Sequence, residues 1–157
     1  MEFCILGPGD VPQMYAMLSL FGRVFDAPDH YQSAPPDAAY LSGLLASPTF
    51  IAVAARHDGR VVGGLAAYVL PKFEQARSEV YIYDLAVDEP FRRRGVATGL
   101  IDTLRGVAAE REAWVIYVQA DPEDAPAVAL YSKLGVREDV LHFDIPPHRP
   151  PADGGPG

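Results

Sequence analysis

The stretch "YIYDLAVDEPFRRRGVATGLI" (81–101) joins a strand-like run to a helix-like run through three consecutive arginines. The first run is rich in β-branched and aromatic residues, and the last places its apolar residues at helical spacing. Between them, the small residues of Arg92-x-x-Gly95-x-Ala97 allow a tight turn, so that successive N–H groups point into one concavity at a helix N-terminus. The stretch therefore predicts a strand, an anion-binding turn and a helix, in that order.

The arginine turn stands out because the rest of the chain is acidic. The 157 residues hold 13 Lys and Arg against 21 Asp and Glu, a formal net charge of -8. Such a balance argues against a nucleic acid partner, which needs a basic face for its phosphates, and it suits a cationic substrate. The turn lacks the G-K-[ST] of a Walker loop and the G-x-G-x-x-G of a dinucleotide fingerprint. Neither of these nucleotide sites is indicated.

The sequence on either side of the turn predicts an α/β chain. Its β-α-α-β-β-β-α-β-α-β order combines an antiparallel meander with βαβ crossovers, so we expect one mixed sheet with helices on both faces. Asp10 is the expected N-cap of the first helix, and Asp58-Gly59 the expected hairpin turn. In chain order the predicted elements are a strand at 3–7, helices at 10–25 and 36–47, a hairpin at 49–70, a strand at 78–87, a helix at 95–111, a strand at 114–120, a helix at 125–135 and a strand at 140–145.

The length fits a single domain, 1–145, followed by a Pro/Gly-rich tail, 146–157. No apolar run is long enough to cross a membrane, and the start does not have the pattern of a signal peptide, so we expect a cytoplasmic protein without a membrane partner. The four histidines show no metal-ligand spacing, and no metal is expected. The final strand and the tail offer contact surfaces, which favours a homodimer.

The arginine motif follows a "LAV" run and precedes "ALYSKLG" (129–135), and this combination resembles the GCN5-related N-acetyltransferase (GNAT) superfamily. The resemblance implies the GNAT fold and acetyl-CoA as cosubstrate. It also implies that the backbone at Leu85, Ala86 and Val87 is splayed from its neighbour at a bulge and binds the pantetheine arm and acetyl carbonyl. The implied pyrophosphate site consists of Arg92, Arg93, Arg94, Gly95, Val96, Ala97 and Thr98.

Two further positions match the superfamily pattern on the last predicted helix. Tyr131 matches the tyrosine that commonly protonates the leaving sulfur, and a phenol is a suitable acid for a thiolate. Asp124 stands where the superfamily often has Asn in N-x-x-A-x-x-L-Y, and the resemblance makes it a cofactor contact.

Longer stretches at 66–87, 117–135 and 142–145 are similar to the type I aminoglycoside 3-N-acetyltransferases. This narrower resemblance implies that the chain acetylates the 3-amino group of a cationic aminoglycoside such as gentamicin and so confers antibiotic resistance. Two alternatives stay open: an acetyltransferase acting on a polyamine or protein amine, and a CoA-binding module without turnover.

Amine acetylation needs a base to accept the ammonium proton. Asp84 is the first candidate, because a carboxylate that interrupts an apolar strand is costly to bury unpaired. Glu79 and Asp144 are second candidates, and these three carboxylates, with Tyr83, are the predicted substrate contacts. The period of two places Glu79 and Tyr83 on one face and Asp84 on the other unless the strand is bulged. The sequence leaves open which face lines the cleft.

Overall fold

The computed structural model describes residues 1–150, and the end of the predicted tail, 151–157, lies outside the described residues. Its centre is a five-stranded mixed sheet in the order β1-β2-β3-β4-β5, in which β5 alone runs parallel to its neighbour. The elements are β1 (Glu2–Ile5), α1 (Val11–Val24), α2 (Pro28–Gln32), α3 (Ala38–Ala46), β2 (Phe50–His57), β3 (Arg60–Pro71), β4 (Ser78–Val87), a 3₁₀ turn (Glu89–Phe91), α4 (Val96–Glu110), β5 (Ala113–Val118) and α5 (Ala125–Leu134).

Helices cover both faces of the sheet, which confirms the prediction. On one face, called here the α1 face, α1 and α3 contribute Met17 and Leu41 to the core. On the opposite face, the α4 face, α4 contributes Leu100 and α5 packs through Tyr131. Met17 and Leu100 are fully buried, and burial of such a side chain contributes about 1.5–3 kcal/mol. Among the described residues, no helix is long and apolar enough to span a bilayer.

Two local predictions about the chain are confirmed. Asp58 and Gly59 form the hairpin turn with φ angles of 50° and 77°, the left-handed backbone that such a turn requires. Asp10 occupies the N-cap position of α1, although its carboxylate accepts from the Gly7 N–H at 2.8 Å and not from the first turn of the helix.

A short helix, α2, lies between the two predicted N-terminal helices and was missed by the sequence analysis. Pro28 stands in its first turn, where a fixed φ favours helix initiation. Gly22 of α1 allows α2 to pack closely, because a Cβ there would lie 3.4 Å from the Cβ of Tyr31. This helix carries Tyr31 to the sheet.

The predicted final strand is wrong. Residues 140–145 form neither helix nor strand, and Val140, Leu141, Phe143 and Ile145 are 68 to 86% exposed. A strand requires a partner for its backbone N–H and C=O groups, and within residues 1–150 no backbone hydrogen bond of this run to the sheet is found. The strand-like composition of residues 140–145 therefore does not make them a strand, because it does not provide a neighbouring strand to pair with.

Glycines set how closely the helices approach the sheet. A Cβ at Gly63 of β3 would lie 2.9 Å from Val96 Cγ1 of α4, and a Cβ at Gly99 of α4 would lie 2.1 Å from the Phe3 ring. The Phe3 ring packs against the core of the α4 face. Gly99 therefore holds the space into which β1 places this ring.

We predict opposite effects for two glycine substitutions in α4. Gly99→Ala must displace the Phe3 ring and should lower the free energy of unfolding by about 1–3 kcal/mol. Gly106→Ala is the matched control, because nothing lies within 4 Å of its added Cβ, and alanine should there gain about 0.5–1 kcal/mol of helix propensity. Urea unfolding of both variants measures the difference, and equal stabilities would contradict the close packing of Phe3.

Candidate active site

Strand β4 contains a bulge at Tyr83. On the neighbouring strand, Ala67 pairs with Ile82 and Ala66 pairs with Asp84, so Tyr83 is an extra residue without a partner in the β3 register. A β-bulge of this kind shifts the alternation of the following side chains by one position.

The bulge decides which side chains of β4 share a face. Ile82, before the bulge, and Leu85, after it, both pack against the core of the α4 face. In a strand without a bulge, these two residues would point to opposite faces of the sheet. Ala86 correspondingly packs in the core of the α1 face. Asp84 therefore lies on the α1 face together with Glu79. The sequence alone left open whether a bulge brings these two carboxylates to the same face.

The pairing of β4 with β5 ends just before the bulge. Its last register pair is Ile82 with Val118, and β4 then continues through Val87 beside β3 alone. The two parallel strands therefore part at Tyr83, and the backbone at Leu85, Ala86 and Val87 lies along the opening, in the place that the family resemblance implies.

Asp84 lies half-buried in this opening. The Tyr31 hydroxyl donates a hydrogen bond to Asp84 Oδ2 at 3.0 Å. Burial raises the pKa of the Asp84 carboxyl, while the bond from Tyr31 and the nearby His30 partly offset that rise. Burial and the adjacent Asp84 charge raise the pKa of Tyr31 as well, so the phenol keeps its proton and remains a donor.

A wall of tyrosine rings extends from Asp84 across three strands. Tyr83 packs edge-on against Tyr68 of β3 and Tyr81 of β4, with ring centroids 5.7 and 5.9 Å apart. Tyr81 in turn stacks on Tyr117 of β5 at 4.7 Å. Tyr83 is 60% exposed, so the wall faces solvent and offers aromatic surface to a ligand. We call these four rings the tyrosine wall.

The other predicted carboxylates have different surroundings. Glu79 Oε1 forms an ion pair with Lys72 Nζ at 3.3 Å. Asp144 lies on the C-terminal run, where its Oδ1 is 2.8 Å from His142 Nε2 and its side chain is 96% exposed. The structure thus places Glu79 on the face of Asp84, and the single chain does not bring Asp144 to either of them.

The arginine turn has the backbone that the sequence predicts. Gly95 is the N-cap of α4 with φ 78° and gives the helix no side-chain cap; Arg93 is also left-handed, with φ 62°. Arg92 Nε donates to the Val87 carbonyl at 3.2 Å and ties the turn to the end of β4. The first-turn N–H groups, those of Val96, Ala97 and Thr98, are free of a capping side chain beside three cationic residues, an arrangement suited to an anion.

Helix α5 holds the two remaining predicted residues. Asp124 is its N-cap and accepts from the Ala127 N–H at 3.2 Å. Tyr131 packs against the core of the α4 face, and burial together with the Asp124 charge raises its pKa. Its phenol therefore carries a proton that it can donate. Among residues 1–150, no group of three His, Cys, Asp or Glu side chains is placed to hold a metal ion.

The separation of β4 from β5 and the uncapped first turn of α4 both lie within residues 14–136, the range over which the Acetyltransferase (GNAT) family model matches this chain. The chain belongs to this GNAT family. Two solved aminoglycoside acetyltransferases match nearly the whole of this chain. An aminoglycoside acetyltransferase, HMB0005, from an uncultured soil metagenomic sample is 55% identical with a TM-score of 0.90, covering 94% of this chain and 100% of that one.

A second aminoglycoside acetyltransferase, meta-AAC0020 from an uncultured soil metagenomic sample, was solved in complex with sisomicin. It is 30% identical to this GNAT chain with a TM-score of 0.86, covering 94% of this chain and 96% of that one. An N-alpha-acetyltransferase of Sulfolobus acidocaldarius is 33% identical over 95 residues, 54% of this chain and 54% of the relative. The chain thus spans about half the length of the curated relatives it matches.

Several residues of this candidate site escaped the sequence analysis, above all Tyr31, Tyr68 and Tyr117. Tyr31 belongs to the missed helix α2, for which Pro28 was the available signal. Tyr68 and Tyr117 come from strands that were predicted, but which residues stand beside Tyr83 depends on the register of three strands.

We predict that Tyr31→Phe raises the pKa of Asp84 above its value in the unsubstituted protein. The hydroxyl stabilises the carboxylate form, so its loss leaves the effect of burial less opposed. Tyr81→Phe is the control, because the Tyr81 hydroxyl donates to Gln119 Oε1 at 2.9 Å and not to Asp84. Carboxyl ¹³C NMR during a pH titration reads the pKa directly, and an unchanged titration in Tyr31→Phe would contradict the assigned bond.

Proposed function

We propose that this acetyltransferase moves the acetyl group of acetyl-CoA to the 3-amino group of an aminoglycoside such as gentamicin, and so confers resistance in the cytoplasm of its host. The observation that carries this proposal is the bulge at Tyr83. It places one half-buried carboxylate, Asp84, between the open end of β4 and an exposed aromatic wall. The similarity to two aminoglycoside acetyltransferases along nearly the whole chain supports the acceptor class.

The arginine turn fits the pyrophosphate of acetyl-CoA. In this proposal, the first-turn N–H groups of α4 donate to the phosphate oxygens, and Arg92, Arg93 and Arg94 supply positive charge in an otherwise acidic protein. The backbone at Leu85, Ala86 and Val87 leads from the turn to the parted strands. Its N–H groups would hold the acetyl carbonyl and stabilise the negative charge that develops on its oxygen.

Asp84 is the proposed general base. The acceptor ammonium must lose a proton before its nitrogen can attack, and the pKa of Asp84 is raised by burial, which makes it a stronger base than an exposed aspartate. Tyr31 acts as a positioning residue, since its hydrogen bond fixes one carboxylate oxygen. Tyr131 is the proposed acid for the departing thiolate, and its raised pKa keeps the phenol protonated.

The same face suits an acceptor with several positive charges. Ammonium groups are attracted both to carboxylates and to the faces of aromatic rings, and the tyrosine wall lies directly beside Asp84. Glu79 adds a carboxylate on the same face, although its charge is shared with Lys72. Asp124, in contrast, is proposed to act indirectly, by capping α5 and so fixing Tyr131.

A second candidate acceptor is a peptide α-amine, which the N-alpha-acetyltransferase relatives favour. An α-amine has a pKa near 8, so more of it is already deprotonated at neutral pH than of a more basic amine. Its acetylation therefore depends less on a general base. Rates with sisomicin, gentamicin, a polyamine and a short peptide compare the alternatives, and NMR of the drug product identifies the acetylated nitrogen. A higher kcat/KM for the peptide or the polyamine than for the drugs would overturn the aminoglycoside proposal.

We predict that Gly95→Val raises the KM for acetyl-CoA at least about tenfold. A β-branched residue does not tolerate φ 78°, so the turn opens and one or more charge-assisted hydrogen bonds are lost. Gly59→Val is the matched control, because Gly59 has φ 77° in the distant hairpin turn and both sites have free space for a side chain. Equal acetyl-CoA kinetics in the two folded variants would contradict the pyrophosphate site.

We predict that Asp84→Asn lowers kcat roughly 10²- to 10⁴-fold, the usual contribution of a general base. Activity should partly recover at high pH, where more of the acceptor amine is already deprotonated. In the unsubstituted enzyme, kcat should fall as pH drops through the raised pKa of Asp84, because the protonated carboxyl cannot accept a proton. Asp144→Asn serves as the control and should keep kcat. A pH series in which Asp84→Asn retains the original kcat would exclude Asp84 as the base.

A further inference from the structure

Lys72 lies at the far end of the tyrosine wall, directly after the last residue of β3. Its Nζ is 3.3 Å from Glu79 Oε1 and 3.2 Å from Glu74 Oε1. Its backbone N–H donates to the Arg77 carbonyl at 2.9 Å, which fixes the start of the loop between β3 and β4. The side chains of Lys72 and Glu79 are 26 and 20% exposed, so this ion pair is partly shielded from water.

The tyrosine wall connects Glu79 to Asp84 along the α1 face. Its middle consists of Tyr81 and Tyr117, whose rings stack with centroids 4.7 Å apart. Burial raises the pKa of Tyr81, and the Asp84 charge adds to that rise. Burial also raises the pKa of Tyr117, where the Glu79 charge adds to the rise and the Lys72 charge opposes it. One carboxylate charge thus reaches each of the two stacked rings.

The register of the sheet gives the spacing of the two carboxylates. Asp84 pairs with Ala66 of β3 and Glu79 pairs with Leu70, so their partners are four residues apart. At about 3.4 Å per residue in an antiparallel strand, the backbones of Asp84 and Glu79 are separated by about 14 Å. A ligand with one amine at Asp84 reaches Glu79 with a second amine only if it is extended, as a drug of several linked rings is. A monoamine cannot reach both carboxylates at once.

We propose that Lys72 is a specificity-determining residue, whose ammonium occupies Glu79 until an acceptor with a distant second amine displaces it. This inference rests on the proposed function, because it requires a polycationic acceptor that lies along the tyrosine wall with its reacting amine at Asp84.

The exchange at Glu79 replaces one ammonium by another. Lys72 keeps a partner when it is displaced, because Glu74 Oε1 lies within 3.2 Å of its Nζ. Lys72 therefore competes with every acceptor for Glu79, and only an acceptor with a second ammonium within reach gains from displacing it. A built-in competitor of this kind lowers the affinity for the preferred ligand and excludes shorter ones, which is a common way to obtain specificity.

The test measures the gentamicin Kd by calorimetry with CoA present, in Lys72→Met and in Arg60→Met. Arg60 is the exposed first residue of β3, at the opposite end of the strand from Lys72, so both changes remove one positive charge. We expect Lys72→Met to lower the Kd about three- to tenfold, the effect of one partly exposed charged contact. Arg60→Met should leave it within about twofold, because salt screens a distant charge.

A second substitution identifies the group for which the two amines compete. In a Glu79→Gln background, Lys72→Met should no longer lower the gentamicin Kd, because the contested carboxylate is absent. Glu79→Gln alone leaves Lys72 paired with Glu74, so this variant should fold, and it should raise the gentamicin Kd. Benzylamine is the control ligand, and its inhibition constant against gentamicin acetylation should be the same in all variants. Circular dichroism checks the fold of each.

Three results would overturn the role of Lys72. The first is an unchanged gentamicin Kd in folded Lys72→Met or in Glu79→Gln. The second is a gain in affinity that Arg60→Met or benzylamine shares, because net charge alone would then explain it. The third is a gain from Lys72→Met that persists in the Glu79→Gln background.

Failure of the proposed function would look different. An unsubstituted enzyme that does not acetylate gentamicin in the presence of acetyl-CoA would overturn that function, and the inference about Lys72 with it. An enzyme that acetylates gentamicin but gives any of the three results above would overturn the inference about Lys72 alone.

Discussion

The bulge at Tyr83 is the constraint on which the candidate site depends. One extra residue in β4 inverts the alternation of side chains at the point where β5 separates from it. The hydrophobic core is preserved, because Ile82 and Leu85 both reach the α4 face. The same shift turns Asp84 to the α1 face, where it meets Tyr31 and the tyrosine wall. A regular strand would have left Asp84 against the apolar core, at a large cost in desolvation.

Asp84 shows how the N-terminal helices serve the sheet. Burial disfavours the charged form of its carboxyl, and the hydrogen bond from the Tyr31 hydroxyl replaces one of the hydrogen bonds to water that burial removes. That bond requires α2 to lie close to α1, which Gly22 permits by leaving space beside Tyr31. A single series of contacts therefore connects Gly22 to α2 and α2 to Asp84. Through it, the absence of a side chain at Gly22 affects the pKa of the Asp84 carboxyl.

Strand β4 also separates the two charge environments of the protein. It carries the carboxylates Glu79 and Asp84, suited to a cation, and its C-terminal end leads into the arginine turn, suited to an anion. Arg92 holds the two parts in register through the Val87 carbonyl. A cationic acceptor and an anionic cosubstrate can thus approach one strand at different points, and the opening beside Leu85 lies between them.

The sequence by itself determined the features that local geometry controls. Alternating and helical periodicities predicted the mixed sheet and its covering helices. Asp58-Gly59 predicted a left-handed turn, because only glycine adopts that backbone at no steric cost, and the small residues around Gly95 predicted a tight one. The arginine motif and "ALYSKLG" were enough to indicate the family. These signals lie within short windows of the chain and do not depend on its distant parts.

Only the tertiary structure decided the features that depend on a partner. The face of Asp84 follows from a bulge, and a bulge exists only in the register between two strands. Tyr31 reaches Asp84 across 53 positions of sequence, a separation that no local pattern reports. Residues 140–145 have the composition of a strand and yet form none within their own chain, because a strand is completed by the hydrogen-bonding groups of a neighbour and not by its own side chains.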